Sequence, residues 1–97
     1  MAIIRKRIAT VVNINLGQEF DVYIGRGSMF GNKHRIGPKC TREQAIARYK
    51  VDFYKKLKDP KFKRAVLKLR GKRLGCFCWP KPCHGNVIVE YLRKVAA

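Results

Sequence analysis

Residues 75–85 read GCFCWPKPCHG, and this stretch constrains the fold more than any other. Before it, KRLGCFC (72–78) has the make-up of a short strand. After it, GNVIVEYLRKV has helical periodicity, with Val87, Ile88, Tyr91, Leu92 and Val95 on one face. Pro80 and Pro82 stiffen the return between the two. A strand, a proline-forced return and a closing helix point to an α/β domain. Three of the four cysteines and one of the two histidines are crowded into that return, so it is also the first candidate for a site.

The rest of the chain fits one such domain over residues 1–97, since a chain of 97 residues has room for a single modest core. IATVVNINL (8–16) and FDVYIG (20–25) are rich in β-branched and aromatic residues, with a turn expected at Gly17; together they predict an N-terminal β-hairpin. RGSMFGNKHRIGPK (26–39) is a long loop, and loops of this length are commonly functional. TREQ at 41–44 is a capping-box pattern that opens a helix to about Leu57, with Ile46, Tyr49, Phe53 and Leu57 on its core side. Asp59 and Pro60 start a second helix through Leu69, with Phe62, Val66 and Leu69 inward and Gly71 as its stop. The expected architecture is a hairpin, two central helices, a third short strand and a C-terminal helix.

The chain has 23 Lys and Arg against 6 Asp and Glu, a formal charge of +17. Such an imbalance repels itself and calls for a polyanionic partner. The backbone of DNA or RNA comes first and an anionic membrane surface second; no apolar run reaches the length of a membrane span, and no membrane partner is expected. The start, MAIIRKRIATVV, has neither the apolar region nor the cleavage site of a secretory signal, so a cytoplasmic setting is expected. In a reducing cytosol, thiols serve metal binding, catalysis or burial before disulfides. The cations concentrate on the two central helices: Arg48, Lys55, Lys56, Lys58, Lys61, Lys63, Arg64, Lys68, Arg70, Lys72 and Arg73. Only Asp52 and Asp59 oppose them there, which favours phosphate contact over a merely solvated face. Such a face binds backbone without reading sequence. An acidic host protein is the alternative partner for the same charge.

Three readings compete for the cysteine–histidine loop. As a metal site, Cys76, Cys78, Cys83 and His84 form a Cys₃His set for zinc, with Cys40 as a substitute fourth ligand. In an extended strand Cys76 and Cys78 share a face with Cα atoms roughly 6.5 Å apart. Sulfurs on one zinc stand nearer to about 3.8 Å apart, so the geometry permits a shared metal without demanding it. As a ligand or catalytic pocket, Cys83, His84, Gly85 and Asn86 open the final helix, where free N–H groups favour an anion and lower a thiol's pKa. Cys83 and His84 are then the candidates for nucleophilic or acid–base work. If the strand before Arg26 ends on the same side, its loop faces this one across a crevice, the place where open α/β sheets bind ligands. A small-molecule nucleotide would fit there: Arg26 for a phosphate, Ser28 and Asn32 for a base or ribose, and Gly31 for close backbone approach. The third reading is inert, with buried thiols and a Trp79 plug.

DVYIGR with FGN, TREQAIARY and LRGKRLGCFCWPKPCHGNV together resemble a small domain-of-unknown-function family of phages and bacteria. Its pattern runs VYIGR-P-S, GNP, TREEAI, LRGK-LGCWC-P and CHGD, and the match extends from about Asn13 to Leu92. Tyr23, Gly25, Arg26, Ser28, Gly31, Asn32, Gly75, Cys76, Cys78, Pro80, Cys83, His84 and Gly85 fit it. Gly27 and Lys33 stand where prolines are expected, and Asn86 replaces an acidic residue, which weakens an acid–base role beside His84. The resemblance implies a compact α/β domain in a phage or bacterial cytosol and no particular activity. The residues and the resemblance together lead to a small phage-encoded nucleic-acid-binding protein with a zinc-binding loop. Its rivals are a nucleotide-binding protein or enzyme using the crevice, and a phage interaction protein.

Overall fold

Three short strands form one parallel sheet: β1 (Thr10–Asn13), β2 (Val22–Tyr23) and β3 (Arg73–Cys76), in the order β1-β3-β2. The computed structural model describes residues 9–78 and 81–96; the strand start at Ile8, the Trp79 plug and Pro80 lie outside them. β1 runs beside β3 with Thr10 opposite Arg73 and Asn13 opposite Cys76. On the other edge Val22 faces Leu74 and Tyr23 faces Gly75.

The expected hairpin is therefore not formed, and local polar bonds explain why. Asn13 accepts the Asn15 N–H on its side-chain oxygen at 2.8 Å, while its own N–H goes to the Gln18 side chain at 2.7 Å. These bonds wind Ile14–Leu16 into a turn of 3-10 helix, closed by Gly17 at φ 75°. The chain thus leaves β1 before it can fold straight back. Asp21 then latches the next strand onto β3: its N–H reaches the Arg73 carbonyl at 2.8 Å, and its carboxylate takes the Arg73 N–H at 2.7 Å. Parallel neighbours need a long crossover, and the two central helices supply it between β2 and β3. The central strand is covered on both faces, so Leu74, Gly75 and Cys76 are all buried, the mark of an inner parallel strand rather than a half-wet one.

The helices α1 (Arg42–Lys56), α2 (Pro60–Leu67) and α3 (Gly85–Ala96) follow the sequence signals closely. Thr41 accepts the Gln44 N–H at 3.1 Å and Gln44 takes the Thr41 N–H at 2.9 Å, completing the capping box. Asp59 caps α2 through the Lys61 N–H, with Pro60 in the first turn. Tyr49 and Phe53 of α1, Phe62 and Val66 of α2, and Val87, Ile88, Tyr91 and Leu92 of α3 are buried. Val95 departs from expectation and stays 44% exposed, one turn beyond the last buried position. Phe53 joins the three helices, its ring 5.8 Å from Phe62 and 5.7 Å from Tyr91. Gly85 lets α3 begin close to the sheet: a Cβ there would stand 2.8 Å from the Ile24 side chain and 2.9 Å from that of Val11.

Candidate functional site

Because β2 and β3 are parallel neighbours, the loops leaving their C-terminal ends emerge side by side. Between them lies a cleft of about 480 Å³, walled also by the first turns of α1. That volume lies within the range of small-molecule sites. Arg26, Arg35 and Arg42 reach its wall, and no Asp or Glu does. Exposed Tyr23 and Phe77 stand at it with ring centroids 6.2 Å apart. Arg42 also donates to the Pro82 carbonyl at 3.0 Å, tying the start of α1 to the cysteine loop.

The far wall holds the thiols. The sulfurs of Cys76, Cys78 and Cys83 lie within 4.8 Å of one another, and Cys76 and Cys83 are 3.5 Å apart. β3 ends at Cys76, so Cys78 joins the group from the loop rather than from the strand pleat. Three nearby thiols of this kind can hold a metal ion. Every Cys, His, Asp and Glu of the chain is among the described residues, and no fourth joins the group. His84 is buried with its Nε2 donating to the Ile24 carbonyl at 2.6 Å and its ring set edge-on to Tyr49, centroids 5.0 Å apart. Burial pushes its pKa down, so the imidazole is held neutral. Cys40 is buried elsewhere, its sulfur 3.4 Å from an Arg48 guanidinium nitrogen.

The helix start does not activate Cys83. The Gly85 N–H donates to its sulfur at 3.3 Å, but the adjacent Cys76 sulfur and burial outweigh that bond and drive the thiol pKa upward. As a free thiol it is a poor nucleophile.

Of the other residues singled out in the sequence, Arg26 and Asn32 line the cleft, whereas Ser28, Gly31, Gly85 and Asn86 do not. Ser28 donates to the Gly25 carbonyl at 2.7 Å and shapes its own loop. A Cβ at Gly31 would stand 2.6 Å from that same carbonyl, so its bareness serves loop closure rather than ligand approach. Asn86 accepts the Cys83 N–H at 2.9 Å. Asn32 is anchored too, donating to the Ala45 carbonyl at 3.1 Å. Arg35, Arg42 and His34 were missed as cleft residues. Their only sequence signal is a place within a long loop, for His34 and Arg35, or next to a helix cap, for Arg42, which says nothing of the direction they face. His34 bonds Asp52 at 2.7 Å, and that bond holds the Asp52 carboxyl below its ordinary range.

All eleven cations assigned to the central helices and their exit are exposed. Arg73 is not a free one, because Asp21 at 3.0 Å and Glu19 at 3.4 Å bind it. Among the described residues no ion pair engages Lys55, Lys56, Lys58, Lys61, Lys63, Arg64, Lys68, Arg70 or Lys72.

The fold and site define a small basic α/β protein with a thiol-walled cleft at the C-terminal edge of a parallel sheet. The chain belongs to a family described as a domain of unknown function (DUF4326), whose model matches residues 11–94. It is similar to the "Uncharacterized 12.4 kDa protein in nrdA-td intergenic region" of Enterobacteria phage T4, at 42% identity over 91 residues, 92% of this chain and 82% of that one. No solved structure matches. Among the described residues, no helix is long and apolar enough to cross a membrane.

Proposed function

We propose that this chain is a nucleic-acid-binding protein that seats one nucleotide unit of its ligand in the cleft between the loops following β2 and β3. The cleft carries this reading: it lies beyond the carboxyl ends of parallel strands and joins three arginines to an aromatic pair with no acid among its lining residues. Arginine forks suit phosphate, and Tyr23 and Phe77 suit a base. The unpaired cations of α1 and α2 support the flanking backbone. A base can enter such a cleft only when unstacked, so single strands and strand ends are preferred over duplex. The three thiols hold a zinc ion that fixes the cysteine loop, with about one zinc per chain expected by elemental analysis of untagged protein.

Fluorescence anisotropy with labelled single-stranded and duplex oligonucleotides tests the reading. Affinity should fall steeply with salt, and mononucleotides should compete. Arg26→Ala and Arg35→Ala should each weaken mononucleotide and oligonucleotide binding by roughly tenfold, the worth of one charged hydrogen bond. Lys61→Ala with Lys63→Ala should weaken oligonucleotide binding alone. Affinity that stays flat with salt, or capture of an acidic protein from nuclease-treated lysate with no nucleic-acid binding, overturns the proposal.

A further inference from the structure

The chain offers a metal three sulfurs, and no fourth Cys, His, Asp or Glu side chain stands with them. We infer that a metal held by Cys76, Cys78 and Cys83 leaves one coordination position to the cleft, and that a water or a neutral nitrogen of the bound ligand takes it. The inference rests on the cleft reading above for the identity of that ligand, and on the thiol geometry alone for the open position.

The residues that could close the site stand apart from it. His84 gives its Nε2–H to the Ile24 carbonyl at 2.6 Å, which leaves only Nδ1 to bind a metal, and His34 holds Asp52 at 2.7 Å. Cys40 lies against Arg48, and neither it, nor a ring nitrogen, nor any carboxylate stands within 4.8 Å of all three sulfurs. Structural zinc sites are closed by four protein ligands, whereas three protein ligands with one open position is the arrangement of reactive and ligand-binding zinc. All three cysteines line the cleft, so the remaining position faces it.

Charge then decides the class of donor. Three thiolates on a divalent ion leave a single negative charge, which repels a phosphate oxygen from the metal. Arg26, Arg35 and Arg42 supply the opposite sign on the same cleft wall. The cleft thus separates its tasks, phosphate to the arginines and a neutral nitrogen, such as that of a nucleobase ring, to the metal.

Cobalt(II) in place of zinc reads this directly, with imidazole as the neutral-nitrogen probe and inorganic phosphate as the anionic one. Tetrahedral ligand-field bands should shift saturably with imidazole while the sulfur-to-cobalt charge-transfer intensity stays that of three thiolates. Phosphate should leave the bands in place. X-ray absorption on the wild-type zinc protein should count three sulfurs and one light atom. His84→Gln and Cys40→Ala should leave the cobalt spectrum unchanged. Failure to bind zinc or cobalt, bands that ignore imidazole, or a spectrum altered by either substitution overturns the open site. If oligonucleotides bind while imidazole has no effect, this inference falls and the proposed function stands. If imidazole shifts the bands but no nucleotide binds, the open metal stands and the nucleotide reading falls.

Discussion

Asp21 shows how much one exposed side chain can decide. It is the residue that fastens β2 to the far edge of β3, through two bonds to the Arg73 backbone and further bonds to the guanidinium. The Arg73 side chain lowers its pKa from 3.8 to about 2. A carboxyl with a depressed folded-state pKa binds fewer protons folded than unfolded. Its stabilisation is therefore present above the unfolded value near 4 and is lost as pH falls toward 2. Urea midpoints of the wild type and Asp21→Asn, measured from pH 6 down to about 2, should differ most at the upper end and converge at the lower. A constant gap would mean that the carboxylate acts only as a neutral hydrogen-bond acceptor. Cys83 carries the opposite lesson for sequence reading. Its place beside a helix start was legible and predicted a lowered pKa, and its grouping with Cys76 was legible as a metal set; what the sequence did not show is that the Cys76 sulfur, at 3.5 Å, together with burial reverses the sign.

At the scale of elements, the helices were legible and the strand pairing was not. A capping box, an Asp-Pro start and a 3.6-residue apolar period are written within a few adjacent positions, so α1 and α2 could be placed to within about two residues. Pairing depends on residues far apart in sequence, here Asp21 with Arg73, and on a polar turn at Asn13 that resembles an ordinary hairpin turn. The crevice was anticipated because it needed only that two strands end together, and the parallel sheet meets that condition. Two of its three arginines were missed: Arg35 because loop residues 26–39 follow no period that fixes where each one faces, and Arg42 because a place in the first turn of α1 does not say that it meets the cysteine loop. Two substitutions test the elements. Thr41→Ala removes the cap from α1 and should cost about 1 kcal/mol, seen as a lower urea midpoint at unchanged m. Phe53→Ala removes the ring shared by α1, α2 and α3 and should cost about 3–5 kcal/mol.

For the whole molecule, the question is how a formal charge of +17 is used. Five of the six acids are spent on shape: Asp21 and Glu19 hold Arg73, Asp52 holds His34, Glu90 lies 3.5 Å from Lys50, and Asp59 caps α2. The remaining cations of α2 and its exit are left to act on a partner, while the cleft handles a single ligand unit. These two roles should separate in their salt dependence. On a single strand, every phosphate that the protein ceases to neutralise lowers the slope of log affinity against log salt by about 0.7. The triple variant Lys61→Ala, Lys63→Ala and Arg64→Ala should therefore reduce the oligonucleotide slope by about 2, if all three side chains meet phosphate. Its mononucleotide affinity should not change, since none of the three lines the cleft. Arg26→Ala should do the reverse, lowering mononucleotide affinity while reducing the slope by less than about 1. An equal fall of both affinities in the triple variant would mean that the lysine face and the cleft act on the same few atoms of the ligand, and the division between backbone grip and nucleotide seat would be wrong.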